Sequence, residues 1–162
     1  MKKRLGLLVL LLSFSLKSLA LEVLPFTPHT LTEIKQQYQG KPFILLFWSE
    51  SCAFCMKEMA MFGRLQKRYP DLPLVTVSTD LELDEQSIHT ILERQQLDVR
   101  QTWVFSGSYP EMIYRAVDKR WRGELPMTYF FDAQHQSIRH VGMVKEKELI
   151  AWLKWQAQQS KE

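Results

Sequence analysis

One stretch of the chain leaves it few ways to fold. Phe43-Ile-Leu-Leu-Phe47 is an apolar run of five residues without a polar break, and it leads through Trp48-Ser49-Glu50-Ser51 into Cys52-Ala-Phe-Cys55. Such a run suits a strand buried on both faces of a parallel sheet. Beyond it, apolar positions fall at Cys55, Met59, Phe62, Leu65 and Tyr69, in steps of 4, 3, 3 and 4. Those steps put one stripe along a helix. Ser51 is placed to cap that helix, and Pro70 ends it.

These are the 2 cysteines of the chain. Cys52 falls at the helix N-terminus, where unpaired amides and the dipole favour an anion. Cys55 falls one turn in, on the stripe that packs against the sheet. Two unequal thiols result: Cys52 as accessible nucleophile, Cys55 as the buried group that resolves a mixed disulfide. A bridge across so short a loop would constrain the unfolded chain little, so a purely structural staple is a poor use of the spacing.

The chain begins like a secretory leader. Lys2-Lys3-Arg4 precede an apolar core from Leu5 to Leu16, and Ser18-Leu19-Ala20 supply small residues for cleavage after Ala20. An apolar core of this length is too short to span a bilayer, which takes about 20 residues. The alternative is an uncleaved leader that anchors the protein to the inner membrane. Cleavage would remove four of the 21 basic residues, leaving 17 against 18 acidic, a net charge of −1 instead of +3. The basic excess therefore belongs to the leader, and nothing points to a nucleic-acid partner. Residues 21–162 are enough for one domain with its own core. Export gives a periplasmic location, where disulfide chemistry is permitted.

The rest of that domain reads as alternating elements. A short helix spans Leu31 to Tyr38 and a second buried strand Leu74 to Thr79. A helix at 84–96 faces Ile88, Ile91 and Leu92 inward. Trp103-Val104-Phe105 is a short strand, and a helix capped by Ser108 runs to about Val117. Met127 to Phe131 and Ser137 to Val141 form a hairpin, and Lys145 to Gln158 closes the chain as a helix with Leu149, Ile150 and Leu153 inward.

At this point the residues resemble a known family. Phe47-Trp48-x-x-x-Cys52-x-x-Cys55-x-Lys57-Glu58-Met59, followed by Leu125-Pro126-Met127-Thr128-Tyr129-Phe130-Phe131-Asp132, looks like the thioredoxin superfamily and its exported TlpA-like thiol–disulfide oxidoreductases. The resemblance covers roughly residues 40–155. It implies a three-layer α/β/α fold, with a mixed sheet of four to five strands, a C-terminal hairpin and a closing helix. It implies that Pro126 is cis beside the cysteines, where the Leu125 backbone could pair with an extended substrate. It also implies a role for Glu58, as the carboxylate that takes the Cys55 proton. Phe54, Leu125 and Trp48 are candidates for an apolar landing site, although Trp48 also fits the core.

Two departures stand out. The family usually places Trp before the first cysteine, and Ser51 stands here. Thioredoxin has a buried aspartate six residues before that cysteine, where this chain has Leu46. Glu50 and Glu58 flank the pair and oppose a thiolate, and Lys57 is the one nearby cation. That balance favours a reductant over a strong oxidant. The family then implies exported cysteine-bearing clients, such as proteins of cytochrome or metal-site assembly. It implies a membrane thiol donor of the DsbD type and, without a dimerisation segment, a monomer. The redox group is the cysteine pair itself, with no cofactor expected.

Rival readings are an isomerase or oxidase, and a Cu(I) carrier using the thiolates with Met56, Met59 and Met61. Trp121-Arg122-Gly123-Glu124, just before Pro126, is a candidate for a client-specific face. His135 and His140 are spaced like zinc ligands but fall on the hairpin.

Overall fold

The computed structural model describes residues 21–159 apart from Glu82. The leader reading of residues 1–20 lies outside the described residues. Eleven elements follow in order: β1 (Glu22–Phe26), α1 (Thr30–Gln37), β2 (Phe43–Trp48), α2 (Ala53–Arg68), β3 (Leu74–Ser78), α3 (Glu85–Arg94), β4 (Gln101–Phe105), α4 (Pro110–Val117), β5 (Met127–Phe131), β6 (Ser137–Val141) and α5 (Glu146–Gln159).

The strands form one mixed sheet in the order β1-β4-β3-β2-β5-β6. The pairs β1/β4, β4/β3 and β3/β2 are parallel, while β2/β5 and β5/β6 are antiparallel. This is the thioredoxin-like α/β fold, with six strands instead of the four to five expected from the sequence. The added strand is β1, which pairs Glu22 with Gln101 through to Phe26 with Phe105.

β2 lies inside the sheet between β3 and β5, and its six residues are all buried. Its side chains alternate between two cores, as the two-residue strand period requires. Ile44, Leu46 and Trp48 join Cys55, Met59, Phe62 and Leu65 of α2, Ile88, Ile91 and Leu92 of α3, and Leu149 of α5. Phe43, Leu45 and Phe47 join Leu31 and Ile34 of α1, Ile113 of α4, Trp121 and the inward residues of β5. The sheet thus has α2, α3 and α5 on one face and α1 and α4 on the other.

The parallel strands give the sheet a functional edge. The carboxyl ends of β1, β2, β3 and β4 lie together with the amino end of β5 and the carboxyl end of β6. Loops leaving those ends sit side by side, which is where open α/β sheets place their sites. Gly142 N–H donates to the Pro126 carbonyl at 2.9 Å, tying the end of β6 to the start of β5 at that edge.

Candidate active site

Cys52 and Cys55 are joined by a disulfide at this edge, with Cα atoms 5.2 Å apart. The helix cap differs from the expectation. Cys52, not Ser51, is the N-cap of α2, and its Sγ accepts from the Cys55 N–H at 3.1 Å. Sulfur thus occupies the place where a serine or aspartate oxygen usually meets an orphan amide. The amides that cap the helix are the ones that would stabilise a thiolate there. Similarly, Tyr109 precedes α4 where Ser108 was expected, with Pro110 at the start of the helix.

The two sulfurs differ in access. Cys52 is partly exposed, whereas Cys55 is wholly buried against the sheet. An incoming group can reach only the first.

Glu58 lies one turn beyond Cys55 on the same buried stripe and is 0 % exposed. Its Oε1 accepts from the Val144 N–H at 3.0 Å and from the Thr128 hydroxyl at 3.3 Å. Its Oε2 is buried without a hydrogen-bond partner. Burial pushes the carboxyl up to about 7, against the smaller lowering pull of those two donors. A group poised near neutrality is suited to proton transfer. Thr128 pairs across the sheet with Leu46. A carboxylate therefore enters from the helix, close to the strand position where thioredoxin carries its aspartate and this chain has leucine.

The Leu125–Pro126 bond is cis. Pro126 immediately precedes β5, at the edge that holds the cysteines. Leu125 is partly buried and packs against both cores. Phe54, between the cysteines, is 61 % exposed, with the Lys57 ammonium 5.5 Å above its ring. Leu81, Tyr109, Met112 and Met143 are also exposed on loops or a first helical turn at this edge, as is Val141 at the end of β6. These side chains gather apolar surface at the edge that holds the disulfide.

Three expectations fail on burial. Trp48 is fully enclosed in the α2-side core and offers no surface to a peptide. Its position as the last β2 residue turns the indole inward. Trp121 is likewise core, 4.5 Å from Phe47 and 4.7 Å from Tyr114 by ring centroids, with its indole N–H donating to the Glu124 carbonyl. It therefore anchors the 121–124 segment instead of presenting it. Of the copper candidates, Met59 and Met61 are buried in the same core as Cys55, and Met56 accepts from the Gln95 amide. Their sulfurs fill space there, as methionines in cores do. His135 contacts the Tyr38 carbonyl and His140 the Met143 carbonyl, so the two do not converge.

Asp80 was not anticipated. It lies just past β3, and its carboxylate holds the loop that delivers Cys52: Oδ1 accepts from the Ser49 hydroxyl at 2.6 Å and Oδ2 from the Glu50 N–H at 2.7 Å. The signal was present, because residues beyond the carboxyl ends of neighbouring parallel strands meet at one edge.

The comparisons agree with this geometry. The chain belongs to the AhpC/TSA family, whose sequence model matches residues 14–157. A comparison with curated proteins finds no match. Among solved structures, the chain is similar to a secreted disulfide oxidoreductase of Mycobacterium tuberculosis, described as homologous to E. coli DsbE. They share 20 % identity over 74 % of this chain and 84 % of that one, with a TM-score of 0.57. It is similar also to a thioredoxin-family thiol:disulfide interchange protein of Chlorobium tepidum (18 %, 75 % and 83 %, TM-score 0.57). StoA of Bacillus subtilis is a third (17 %, 71 % and 84 %, TM-score 0.51). Family, fold and the close cysteine pair are together those of a thiol–disulfide oxidoreductase.

Proposed function

We propose that the protein is an exported reductase of disulfides in cysteine-bearing client proteins. One observation carries the direction. The Cys52 sulfur accepts from the Cys55 N–H, its flanking sequence carries Glu50 and Glu58, the preceding loop is tied to the Asp80 carboxylate, and the cation near it in sequence, Lys57, is engaged over Phe54. A thiolate so placed is not heavily stabilised, and a dithiol whose reduced form is not stabilised gives up its electrons readily.

The steps follow from access and burial. The Cys52 thiolate attacks one sulfur of a client disulfide, that bond breaks, and the client's other sulfur leaves as a thiolate that takes a proton from water. Cys55 then loses its proton to Glu58 and attacks the Cys52 sulfur. The mixed disulfide breaks, the second client sulfur leaves as a thiolate that takes the proton from Glu58, and the Cys52–Cys55 disulfide forms. Two electrons have passed to the client. An extended client segment pairs with the Leu125 backbone beside Pro126, and its apolar side chains rest on Phe54.

Regeneration of the dithiol calls for a thiol donor in the membrane, of the DsbD type. The leader-like start supports export, and the secreted relative from M. tuberculosis is consistent with it. A monomer acting without a cofactor suffices for this cycle.

The test is the reduction potential of the pair, by equilibration against glutathione and thioredoxin buffers. A potential near that of thioredoxin supports the reductase. One near the strong exported oxidants reverses the direction, towards disulfide formation or isomerisation. A pair that does not titrate as a dithiol removes the redox reading.

A further inference from the structure

The loop between β2 and α2 is tied to Asp80 more tightly than a connecting turn requires. Thr79 N–H donates to the Trp48 carbonyl at 2.8 Å, and Cys52 N–H closes the turn on the Ser49 carbonyl at 3.1 Å. The Asp80 carboxylate receives the Ser49 hydroxyl and the Glu50 N–H, and also the Ser78 hydroxyl at 3.2 Å. Ser49 Oγ lies 3.0 Å from Ser51 Oγ.

The donor directions follow from the chemistry of the groups. An ionised carboxylate only accepts, so Ser49 must spend its single hydroxyl proton on Asp80. Ser49 oxygen can then only accept from Ser51, whose proton is spent in turn. The relay Ser51 to Ser49 to Asp80 points both hydroxyl protons away from the neighbouring Cys52. A full negative charge also sits two hydrogen bonds from the residue adjoining that sulfur.

We propose that Asp80 is a positioning residue for Cys52: it fixes the Ser49–Ser51 turn and withholds that turn's hydroxyl donors from the thiolate. This rests on the thiol chemistry proposed above and adds what sets its direction. With the serine protons committed, the thiolate keeps the α2 amides as its donors, and the Asp80 charge opposes it. Both effects hold Cys52 towards the thiol and the pair towards the reducing side. Other charged and titratable groups lie on the loop itself and on the flanking elements. They are Glu50 on the loop, Lys57 and buried Glu58 on α2, and Tyr114 on α4, whose hydroxyl is raised by burial first and by Glu111 and Asp80 after it. None of their side chains bonds to the serine pair, so Ser49→Ala cuts the relay without removing a bond to them, whereas Asp80→Asn also alters the acceptor of the Glu50 N–H and the charge felt by Tyr114.

The experiment follows the alkylation rate of Cys52 by iodoacetamide against pH, in the reduced full-length protein and in Asp80→Asn and Ser49→Ala. Asp80→Asn removes the charge and one acceptor oxygen, which frees a hydroxyl proton. The Cys52 midpoint should move down, and disulfide turnover should fall by about tenfold as the turn loosens. Ser49→Ala keeps the charge and cuts the relay, so the midpoint should move the same way by less. An unchanged or raised midpoint in Asp80→Asn with a native circular dichroism spectrum overturns the proposal. So does slower turnover without a shift, which would leave Asp80 a strut. If Asp80→Asn does not fold, Ser49→Ala decides alone, with no downward shift counting against the relay. Alkylation reads the thiol and not the activity. A wild-type pair that failed to cycle with glutathione would sink the functional reading and leave this titration readable.

Discussion

The two faces of the sheet are built from different materials. On the α1/α4 face, Phe26, Phe43, Phe47, Phe105, Tyr114, Trp121, Tyr129 and Phe131 contact one another as rings, with centroid separations from 4.5 Å for Phe43/Phe131 to 6.3 Å for Phe47/Tyr129. On the α2/α3/α5 face the helices contribute mostly aliphatic and methionine side chains. There Cys55 and the carboxylate of Glu58 are enclosed among them. Interlocking rings hold geometry, and the carboxylate at their margin, Asp118, is neutralised by Arg120 and Arg139. The aliphatic face gives Glu58 two donors, from β5 and from the segment after β6, and keeps it in a dry setting. The chemistry therefore sits on one face, and the other holds the strands that carry it.

Trp121→Ala should break the contrast at its scaffold side. It removes a buried ring that touches Phe47, Phe105 and Tyr114. Denaturant unfolding should show a loss of about 3–5 kcal/mol. The Cys52 alkylation profile of the folded variant should stay where it is. A shifted profile would mean that the faces are not separate in function.

Glu58→Gln probes the other face, and its effect depends on pH. The folded carboxyl is raised to about 7 from an ordinary 4.5. Above about pH 4.5 the unfolded chain has released this proton while the folded chain still holds it. The wild type should therefore lose stability as pH rises from about 4.5 to about 7. The loss should total roughly 3 kcal/mol and then level off. The glutamine variant keeps an oxygen for Val144 and Thr128 and has no proton to release, so this decline should vanish from its unfolding curves. Its disulfide turnover should fall by about a hundredfold if the carboxylate accepts the Cys55 proton. Equal pH slopes in both proteins would remove Glu58 from the account.

Much of this was legible in the chain, and the gaps have physical causes. The unbroken apolar run of β2 and the 4-3-3-4 stripe of α2 fixed the cysteines at a strand–helix junction. They also made Cys55 the buried partner. β1 was hidden because Pro25 interrupts Glu22-Val-Leu-Pro-Phe26. A proline is tolerated there only because β1 is the outermost strand, with one side unpaired. Glu58 could be read as near the buried face from its spacing. Its enclosure depends on Thr128 and on Val144, 86 residues further on. Asp80 is 31 residues from Ser49, and only the parallel pairing of β2 with β3 brings the two together. Trp48 already read as core as well as a landing-site candidate, whereas Trp121 misled because an indole beside a site reads as a binding surface as readily as core.

The smallest expected effect tests how closely α2 sits on its neighbour. Gly63 faces the end of α3, where an added Cβ would overlap the Gln95 carbonyl oxygen and lie 2.9 Å from that of Gln96. Both are backbone atoms, which cannot swing aside. Gly63→Ala should destabilise by about 1–3 kcal/mol in thermal or chemical unfolding, despite alanine's better helix propensity. A neutral or stabilising result would mean that α2 can slide on α3, and the position of Cys52 would then be less fixed than its hydrogen bonds imply.

The direction of β1 bears on how the whole molecule would hang from a surface. β1 runs parallel to β4, so its first residue lies at the end of the sheet opposite the cysteines. Whatever precedes residue 21 attaches there, one strand length, about 16 Å, from the reactive edge. A leader left uncut would thus act as a tether at the far pole. The disulfide lies at the opposite pole, on the side of the sheet away from that attachment point.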